Sequence, residues 1–295
     1  MLDAAEIDSR CKKFDYSLAY PNTWYYNRNK GVVAMDIQNT DLETVKNVIK
    51  RLLEETQLEV DKSDKNRIVH HPFFSNIVFP IHNPNKSITI CGLVDGTISG
   101  EATQGINIIE YPEGLKRAKE WLMGKIDKAD SAFDIFALIN KNYCFAFLYY
   151  VLKLLSRNDL SEILSFIWTS GEETSHYNPF SVSELVQLFG SCNPEALMNE
   201  DEYKYYQNLP DELIIYRGIL KTNENCIYGL SWTVSQEKAI GFANRFSPRD
   251  NEERAVYAAK IKKKDTFAYF SRVDDDEIIV NPEKLYDVKR LQNIE

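Results

Sequence analysis

The last third of the chain, from Pro210 onwards, is the part whose sequence restricts the fold most. It contains six short runs that are rich in β-branched and aromatic residues and separated by turns, a pattern typical of strands. The runs are 213–217, 229–233, 255–261, 267–269, 277–280 and 286–288. One helix interrupts them, with Ser235 as its N-cap and Ala239, Phe242, Ala243 and Phe246 as its apolar stripe. Because strands and helices do not alternate and no Gly-x-Gly-x-x-Gly motif is present, this order predicts an α+β fold and argues against a Rossmann fold.

The preceding part of the chain divides at Pro112-Glu113-Gly114, where turn residues separate two patterns. Residues 1–112 mix short strand-like runs with one helix that ends at Leu53 and has Thr40 as its N-cap, which predicts a separate α+β unit of unknown role. Residues 113–295 begin with helical patterns and end with the strand-rich third, so we expect a second domain there. The strand-like runs of the first unit are 32–37, 77–79, 87–90 and 106–109. The helical runs of the second are 115–126, 132–155 as one helix or a helix pair, 161–168, 181–189 and 194–207. Ser181 and Glu184 form a capping-box pattern at the start of the run 181–189.

Composition narrows the class of protein. The chain has 295 residues and a net charge of -9, which disfavours sequence-independent binding to nucleic acid or to an anionic membrane. The five cysteines are scattered and His70, His71 and His82 lack a ligand spacing, so we expect no disulfide framework and no metal site. Charges interrupt the most apolar segment, and the N-terminus lacks a secretory signal, so we expect a soluble, cytoplasmic protein with no membrane partner. Trp168 is interpreted as a packed aromatic residue.

Three polar residues in the strand-rich third stand in settings that suit chemistry. Arg217 ends an apolar run and is followed by Gly218, so a phosphate-binding guanidinium lies beside an open backbone. Ser231 precedes the single helix of this region. Glu277 immediately precedes Ile-Ile-Val, which would hold its carboxylate at the start of a buried strand.

These settings resemble a known signature. The segments are Tyr216-Arg217-Gly218, then Ser231-Trp232-Thr233 with the downstream Ala239, Phe242 and Ala243, then Asp275-Asp276-Glu277-Ile278-Ile279-Val280. In order and context they resemble the Arg, Ser-Thr-Ser and Glu-x-Glu motifs of the Arg-Ser-Glu class of toxin-like mono-ADP-ribosyltransferases. The signature lies in residues 210–295, and the resemblance implies a split β-sandwich preceded by a helical lead-in.

The resemblance also implies roles for the three residues. Breaking the nicotinamide–ribose bond of NAD develops positive charge on the ribose, and Glu277 would stabilise this charge, through the ribose 2′-OH. Arg217 would anchor the pyrophosphate, and Gly218 would present backbone groups to the nicotinamide carboxamide. Ser231 would brace both Arg217 and Glu277. NAD is then a substrate, and no metal is required.

Further residues are assigned by the same resemblance. Thr233 and Phe246 complete the predicted NAD site, with Phe246 covering the nicotinamide, although it also fits a core position of its helix. Asp275 and Phe270 are predicted to recognise the acceptor. The chain departs from the family pattern in two places: Trp232 stands where the family has threonine, and Asp275 stands where it has the first glutamate, one methylene longer.

Three functions are consistent with this signature. The first is transfer of ADP-ribose from NAD to a protein acceptor, arginine being one candidate residue, by a toxin, an effector or a phage-encoded modifier. The second is NAD glycohydrolase activity, in which water replaces the acceptor. The third is a catalytically inactive binding module, which the departures at Trp232 and Asp275 would suit. Nucleic acid stays open as an acceptor, although the acidic charge balance counts against it.

Overall fold

The computed structural model describes residues 38–56, 59–61, 66–70, 73, 78–80, 112–170, 178–220, 227–245, 254–271 and 276–294. The first of these ranges contains helix α1, Leu42–Glu55. It is followed by three antiparallel strands in the order β1-β2-β3. Their bounds are Glu59–Asp61, Asn66–His70 and Val78–Pro80. The predicted strands 32–37, 87–90 and 106–109 lie outside the described residues.

The start of α1 differs from the sequence prediction by one residue. Asp41, and not Thr40, is the N-cap, because its carboxylate accepts a hydrogen bond from the Thr44 backbone N–H at 3.1 Å. Thr40 bonds elsewhere: its hydroxyl donates to Asp159 and accepts from the Ser156 backbone N–H. The residue predicted to cap the helix therefore connects α1 to a helix more than a hundred residues later in the chain.

A layer of helices follows, and one of the helices predicted from sequence is broken. The run 132–155, predicted as one helix or a helix pair, contains two α-helices, because Asn140 accepts a hydrogen bond from the Asn142 backbone N–H and caps a new turn. The run 194–207, predicted as one helix, is divided because Asn199 caps the second piece in a capping box with Glu202. The predicted capping box of Ser181 and Glu184 is confirmed. The helices are α2 (Pro112–Asp127), α3 (Ala132–Phe136), α4 (Cys144–Val151), α5 (Arg157–Thr169), α6 (Val182–Ser191), α7 (Pro194–Leu197) and α8 (Glu200–Gln207), with 3-10 turns at Lys141–Tyr143 and Leu152–Leu154.

The strand-rich third forms a six-stranded antiparallel sheet in the order β7-β8-β5-β4-β6-β9. All six predicted strands are present, and the predicted helix after Ser235 is present as α9, Gln236–Arg245. Its N-cap is confirmed, since Ser235 Oγ accepts a hydrogen bond from the Lys238 backbone N–H at 3.3 Å. The α+β class is thus confirmed. The strands are β4 (Glu212–Leu220), β5 (Ser231–Thr233), β6 (Arg254–Lys262), β7 (Thr266–Phe270), β8 (Glu277–Val280) and β9 (Tyr286–Ile294).

One face of the sheet carries a continuous apolar cluster. Its residues come from strands on both sides of the β4–β5 junction, and among the described residues no helix contributes to it. Strands β4 and β6 pair over their full length, whereas β4 meets β5 at Tyr216 and Thr233. The β4–β5 pairing is therefore the shortest in this sheet. The cluster consists of Leu213, Ile215, Ile219, Trp232, Ala255, Tyr257, Ala259, Ile261, Ile278 and Val280.

The opposite face is covered by helices. Helix α9 covers the half with β4 and β6, where Ala239 and Ala243 pack on Val256. The helical layer covers the half with β7 and β8, since Ala268, Phe270 and other strand residues belong to its core. Helix α1 lies in this same core. A helix from the predicted N-terminal unit thus packs with the helices that follow residue 112, while the division of the chain at that point stays a prediction.

Candidate functional site

The three residues of the signature lie on three neighbouring strands. Arg217 is on β4, Ser231 begins β5 and Glu277 begins β8, and the sheet order places β5 between the other two. Ser231 and Glu277 follow Arg217 by 14 and 60 positions in the sequence, and the sheet brings the three residues onto neighbouring strands. Their side chains do not all lie on the same face of the sheet. The strand register puts Arg217 opposite Tyr257, on the face with the apolar cluster, and Glu277 opposite Thr233, on the face towards the helices.

The guanidinium of Arg217 bridges the gap between β4 and β5. Its Nη1 donates a hydrogen bond to the backbone carbonyl of Ser231. Beyond the pair of Tyr216 and Thr233 the two strands diverge, so this carbonyl is satisfied by the arginine side chain instead of a strand partner. Arg217 as a whole is partly exposed.

Gly229 provides the space for this guanidinium. A Cβ atom at Gly229 would lie 2.6 Å from Nη2 and 2.9 Å from Cζ of Arg217. The carbonyl of Gly229 is held in place by the buried indole of Trp232, whose Nε1 donates to it at 3.0 Å. Gly229 was not singled out from sequence, and its only signal there is its position two residues before Ser231. The same contact gives Trp232, one of the departures from the family pattern, a structural role.

Thr233, and not Ser231, stands directly across from Glu277. The β5–β8 register pairs Thr233 with Glu277 and Ser231 with Ile279. Directly opposed residues in an antiparallel pair have Cβ atoms about 5 Å apart, so the buried threonine borders the carboxylate. Thr233 Oγ1 accepts a hydrogen bond from the Ser235 backbone N–H at 3.1 Å. The two hydroxyl residues therefore serve different parts of the site, since Ser231 meets Arg217 through its carbonyl and Thr233 lies beside Glu277.

The carboxylate of Glu277 is held from the helical layer. Its Oε1 accepts a hydrogen bond from Nε1 of Trp168, at the end of α5, at 3.0 Å. Trp168 packs edge-on against Phe189, with 5.0 Å between ring centroids, and against Phe145. The indole ring of Trp168 is packed, as the sequence predicts, but the sequence does not predict the hydrogen bond that its Nε1 donates to Glu277. No local pattern relates two residues that are 109 positions apart.

Asp276 fixes the chain just before Glu277. It has a positive φ of 45°, a conformation that aspartate tolerates better than most residues. Its carboxylate accepts from the Tyr269 hydroxyl at 2.6 Å and pairs with Lys238 Nζ at 2.7 Å. Burial raises the pKa of Asp276, but the hydrogen bonds from Lys238 and Tyr269 outweigh it, and the net pKa lies below the ordinary value. These contacts define where β8, and with it Glu277, begins.

The end of β7 is fixed as firmly. The Ser271 backbone N–H donates to Oε1 of Glu202 at 3.0 Å, and this glutamate is only 1% exposed. Tyr269 also stacks on Tyr205 with 4.2 Å between ring centroids. The described residues that precede and follow positions 272–275 in the sequence, Ser271 and Asp276, are thus both held by hydrogen bonds.

Two of the other predicted site residues, Phe270 and Gly218, lie in the described part of the chain. Phe270 lies in the core under the helices and pairs with Glu277 across β7 and β8. Gly218 faces α9: a Cβ atom there would lie 2.0 Å from the carbonyl oxygen of Ala239. Close packing of helix on strand therefore explains this glycine, and its role in binding stays a prediction. Phe246 and Asp275 lie outside the described residues.

The described residues contain no group of three or more His, Cys, Asp or Glu side chains that could hold a metal ion. Within the same ranges no helix has the length and apolar character needed to cross a membrane.

Comparison with models of protein families, with curated proteins and with solved structures finds no match for this chain. A functional assignment therefore depends on the signature residues and on their geometry.

Proposed function

We propose that the chain is a mono-ADP-ribosyltransferase of the Arg-Ser-Glu class, which transfers ADP-ribose from NAD to a protein and releases nicotinamide. The observation that supports this most is that Arg217, Ser231 and Glu277 lie on three neighbouring strands, with the guanidinium bonded to the Ser231 backbone. Chance occurrences of the three short motifs would have no reason to fall on neighbouring strands.

In this proposal Arg217 binds the phosphates of NAD. Arg217 as a whole is partly exposed, its guanidinium is oriented by the Ser231 carbonyl, and a planar fork of donors suits a pyrophosphate. Orientation before binding matters because a side chain that is already ordered loses less entropy when the ligand arrives.

Glu277 acts at the reacting carbon. The bond between ribose C1′ and the nicotinamide nitrogen breaks, and nicotinamide leaves with the bonding electrons. Positive charge then develops on C1′ and the ring oxygen, where a fixed carboxylate stabilises the transition state more than bound NAD. The acceptor atom bonds to C1′ and gives up its proton to solvent or to a nearby base. Thr233, across from Glu277, borders the carboxylate.

The fold supports the same proposal at a coarser level. The proposed split β-sandwich would divide at the single residue pair between β4 and β5, and the apolar cluster on the neighbouring strands would form its interior. The helices that precede the sheet in sequence and cover one half of it correspond to a helical lead-in.

The acceptor in this proposal is a protein, with arginine as the candidate residue. Asp275 carries the negative charge that the family has at the first acidic position, and a carboxylate suits a guanidinium. The described residues on either side of it, Ser271 and Asp276, are held by hydrogen bonds to Glu202 and Tyr269. A toxin, effector or phage-encoded modifier acting in a cytoplasm fits this activity.

Transfer of label from NAD tests the proposal. The wild type, Glu277→Gln and the matched control Glu283→Gln are each incubated with a cell lysate and NAD labelled in the adenosine part. Glu283 is an exposed residue of the 3-10 turn after β8. We expect protein-bound label with the wild type and Glu283→Gln and none with Glu277→Gln.

The other outcomes contradict the proposal in distinct ways. Free ADP-ribose without labelled macromolecules would identify a glycohydrolase. Label that nuclease removes and protease does not would make nucleic acid the acceptor. No binding or consumption of NAD, with Arg217→Ala indistinguishable from the wild type, would identify an inactive binding module.

A further inference from the structure

The contact between Trp168 and Glu277 joins the helical layer to the candidate site. Trp168 Nε1 donates to Oε1 of Glu277 at 3.0 Å, and both side chains are partly buried. A hydrogen bond to an ionised acceptor is roughly twice as strong as one between neutral groups. The contact therefore affects the one carboxylate on which the proposed chemistry depends.

Packing alone does not require tryptophan at this position. The indole ring meets Phe145 and Phe189 edge-on, at interplanar angles of 90° and 88°. A phenylalanine would satisfy such apolar contacts. The feature that only the indole adds is its N–H donor, and that donor is directed at Glu277.

The donor is also held rigidly. Two aromatic rings fix the orientation of the indole, and Trp168 belongs to a helix whose start is capped by Ser156. The same start is connected to α1 through Thr40. The position of the N–H is therefore determined by the helical core and not by the loops around the sheet.

We infer that Trp168 is a positioning residue of the NAD site, which orients the Glu277 carboxylate for the ribose, so that the helical layer is part of the catalytic apparatus. This inference rests on the proposed function. A carboxylate offers about four acceptor positions. It can therefore accept from Trp168 and from the ribose 2′-OH together.

A positioning role predicts a particular kinetic effect. Glu277 stabilises charge that appears only in the transition state, so a misdirected carboxylate lowers kcat and leaves binding of NAD nearly unchanged. For Trp168→Phe we expect kcat for nicotinamide release to fall roughly tenfold, from the size of a hydrogen bond to a charged group. The KM for NAD should stay within about twofold, since the lost interaction is made mainly in the transition state. Trp121→Phe, in an exposed residue of α2, is the matched control and should behave as the wild type.

Nuclear magnetic resonance of the indole N–H groups tests the contact itself. The chain has four tryptophans, and the resonance of Trp168 is identified by its loss in Trp168→Phe. In Glu277→Gln this resonance should move upfield, because the ionised acceptor is replaced by a weaker neutral one. This measurement remains informative if Trp168→Phe is too unstable for kinetics, since Trp168→His then serves for assignment.

The outcomes separate this inference from the proposed function. If Trp168→Phe turns NAD over as fast as the wild type or faster, the positioning role alone is overturned. The same holds if the Trp168 resonance does not respond to Glu277→Gln. A raised KM with unchanged kcat also overturns it, because it would assign Trp168 to NAD binding. Absence of Glu277-dependent turnover in the wild type overturns the proposed function, and the positioning role with it. A fall in kcat at constant KM, together with the upfield shift, supports the inference.

Discussion

Two glycines of the strand-rich third have side-chain positions that are already occupied, with different consequences. At Gly229 the occupant is the end of the Arg217 side chain, which can move. At Gly218 it is the backbone of α9, which cannot move without shifting the helix. The sequence shows both as glycines beside a motif, and only the three-dimensional contacts reveal that one affects the site and the other the fold.

Gly229→Ala should impair the site while the fold persists. The added methyl group displaces the Arg217 guanidinium from the Ser231 carbonyl, and we expect the KM for NAD to rise roughly tenfold, the value of one charge-assisted hydrogen bond. The thermal midpoint should change little. The control Gly124→Ala, whose Cβ would meet nothing within 4 Å, should leave the KM for NAD unchanged. An unchanged KM would show that the Arg217 guanidinium does not bind NAD.

Asp276→Asn should destabilise the protein in a pH-dependent way. Asparagine keeps the positive φ, so the substitution removes mainly the ionic contacts with Lys238 and Tyr269. The folded pKa is depressed below the ordinary 3.8, so the stabilisation is present above that value and is lost as the pH falls through the folded pKa. Urea unfolding should therefore separate variant and wild type at pH 7, and the difference should shrink below about pH 4. A difference that is constant over this range would contradict the ionic role.

At the scale of elements, turn residues and helix caps in the sequence made most strands and helices predictable. Runs bounded by Gly, Pro and Asn gave all six strands of the large sheet, and serine caps gave the starts of α6 and α9. The division of the run 194–207 was missed because Asn199 offers the backbone a cap inside an otherwise helical pattern. Register was not predictable, since it follows from pairing over long separations, and it is register that puts Thr233 across from Glu277.

The contact of α9 with β4 supplies a prediction at this scale. Gly218→Ala would put a methyl group within 2.0 Å of the Ala239 carbonyl oxygen and within 2.7 Å of the Ala243 nitrogen. We expect the free energy of unfolding to fall by about 3 kcal/mol, the upper part of the usual cost of overpacking.

Gly241→Ala in the same helix is the control for this change. Its Cβ would meet nothing within 4 Å, and alanine is the better helix former, so a gain of up to about 1 kcal/mol is expected. Denaturant unfolding measures both variants. Equal stability of Gly218→Ala and the wild type would mean that α9 does not press against β4.

At the scale of the whole molecule, one core runs from α1 through the helices to strands β7 and β8. The sequence could not predict that α1 belongs to this core, because the apolar residues of α1 do not indicate which other residues they contact. The Trp168–Glu277 contact has the same origin, as it joins a helix to a strand that starts 109 residues later. The motifs that contain Arg217, Ser231 and Glu277 are local and visible in the sequence, whereas the contacts that hold these residues join distant parts of the chain.

Ile49→Ala tests the continuity of this core. Ile49 is fully buried in α1, so we expect a loss of about 2–5 kcal/mol from the free energy of unfolding. The loss should appear in a single transition that also abolishes the signal of the sheet. Ile214→Ala is the matched control, since Ile214 is 55% exposed, and surface changes usually stay within about 0.5 kcal/mol. A separate transition for α1, with the rest of the protein unaffected, would show that residues 1–112 fold independently.

Release of nicotinamide from NAD tests the central claim most directly. It reports the bond that Glu277 is proposed to help break, whatever the acceptor is. We expect release by the wild type and by Glu283→Gln, and a rate at least about a hundredfold lower for Glu277→Gln, because the charge that stabilises the transition state is lost. Equal rates for the wild type and Glu277→Gln, or no release by either protein, would contradict the assignment of this site.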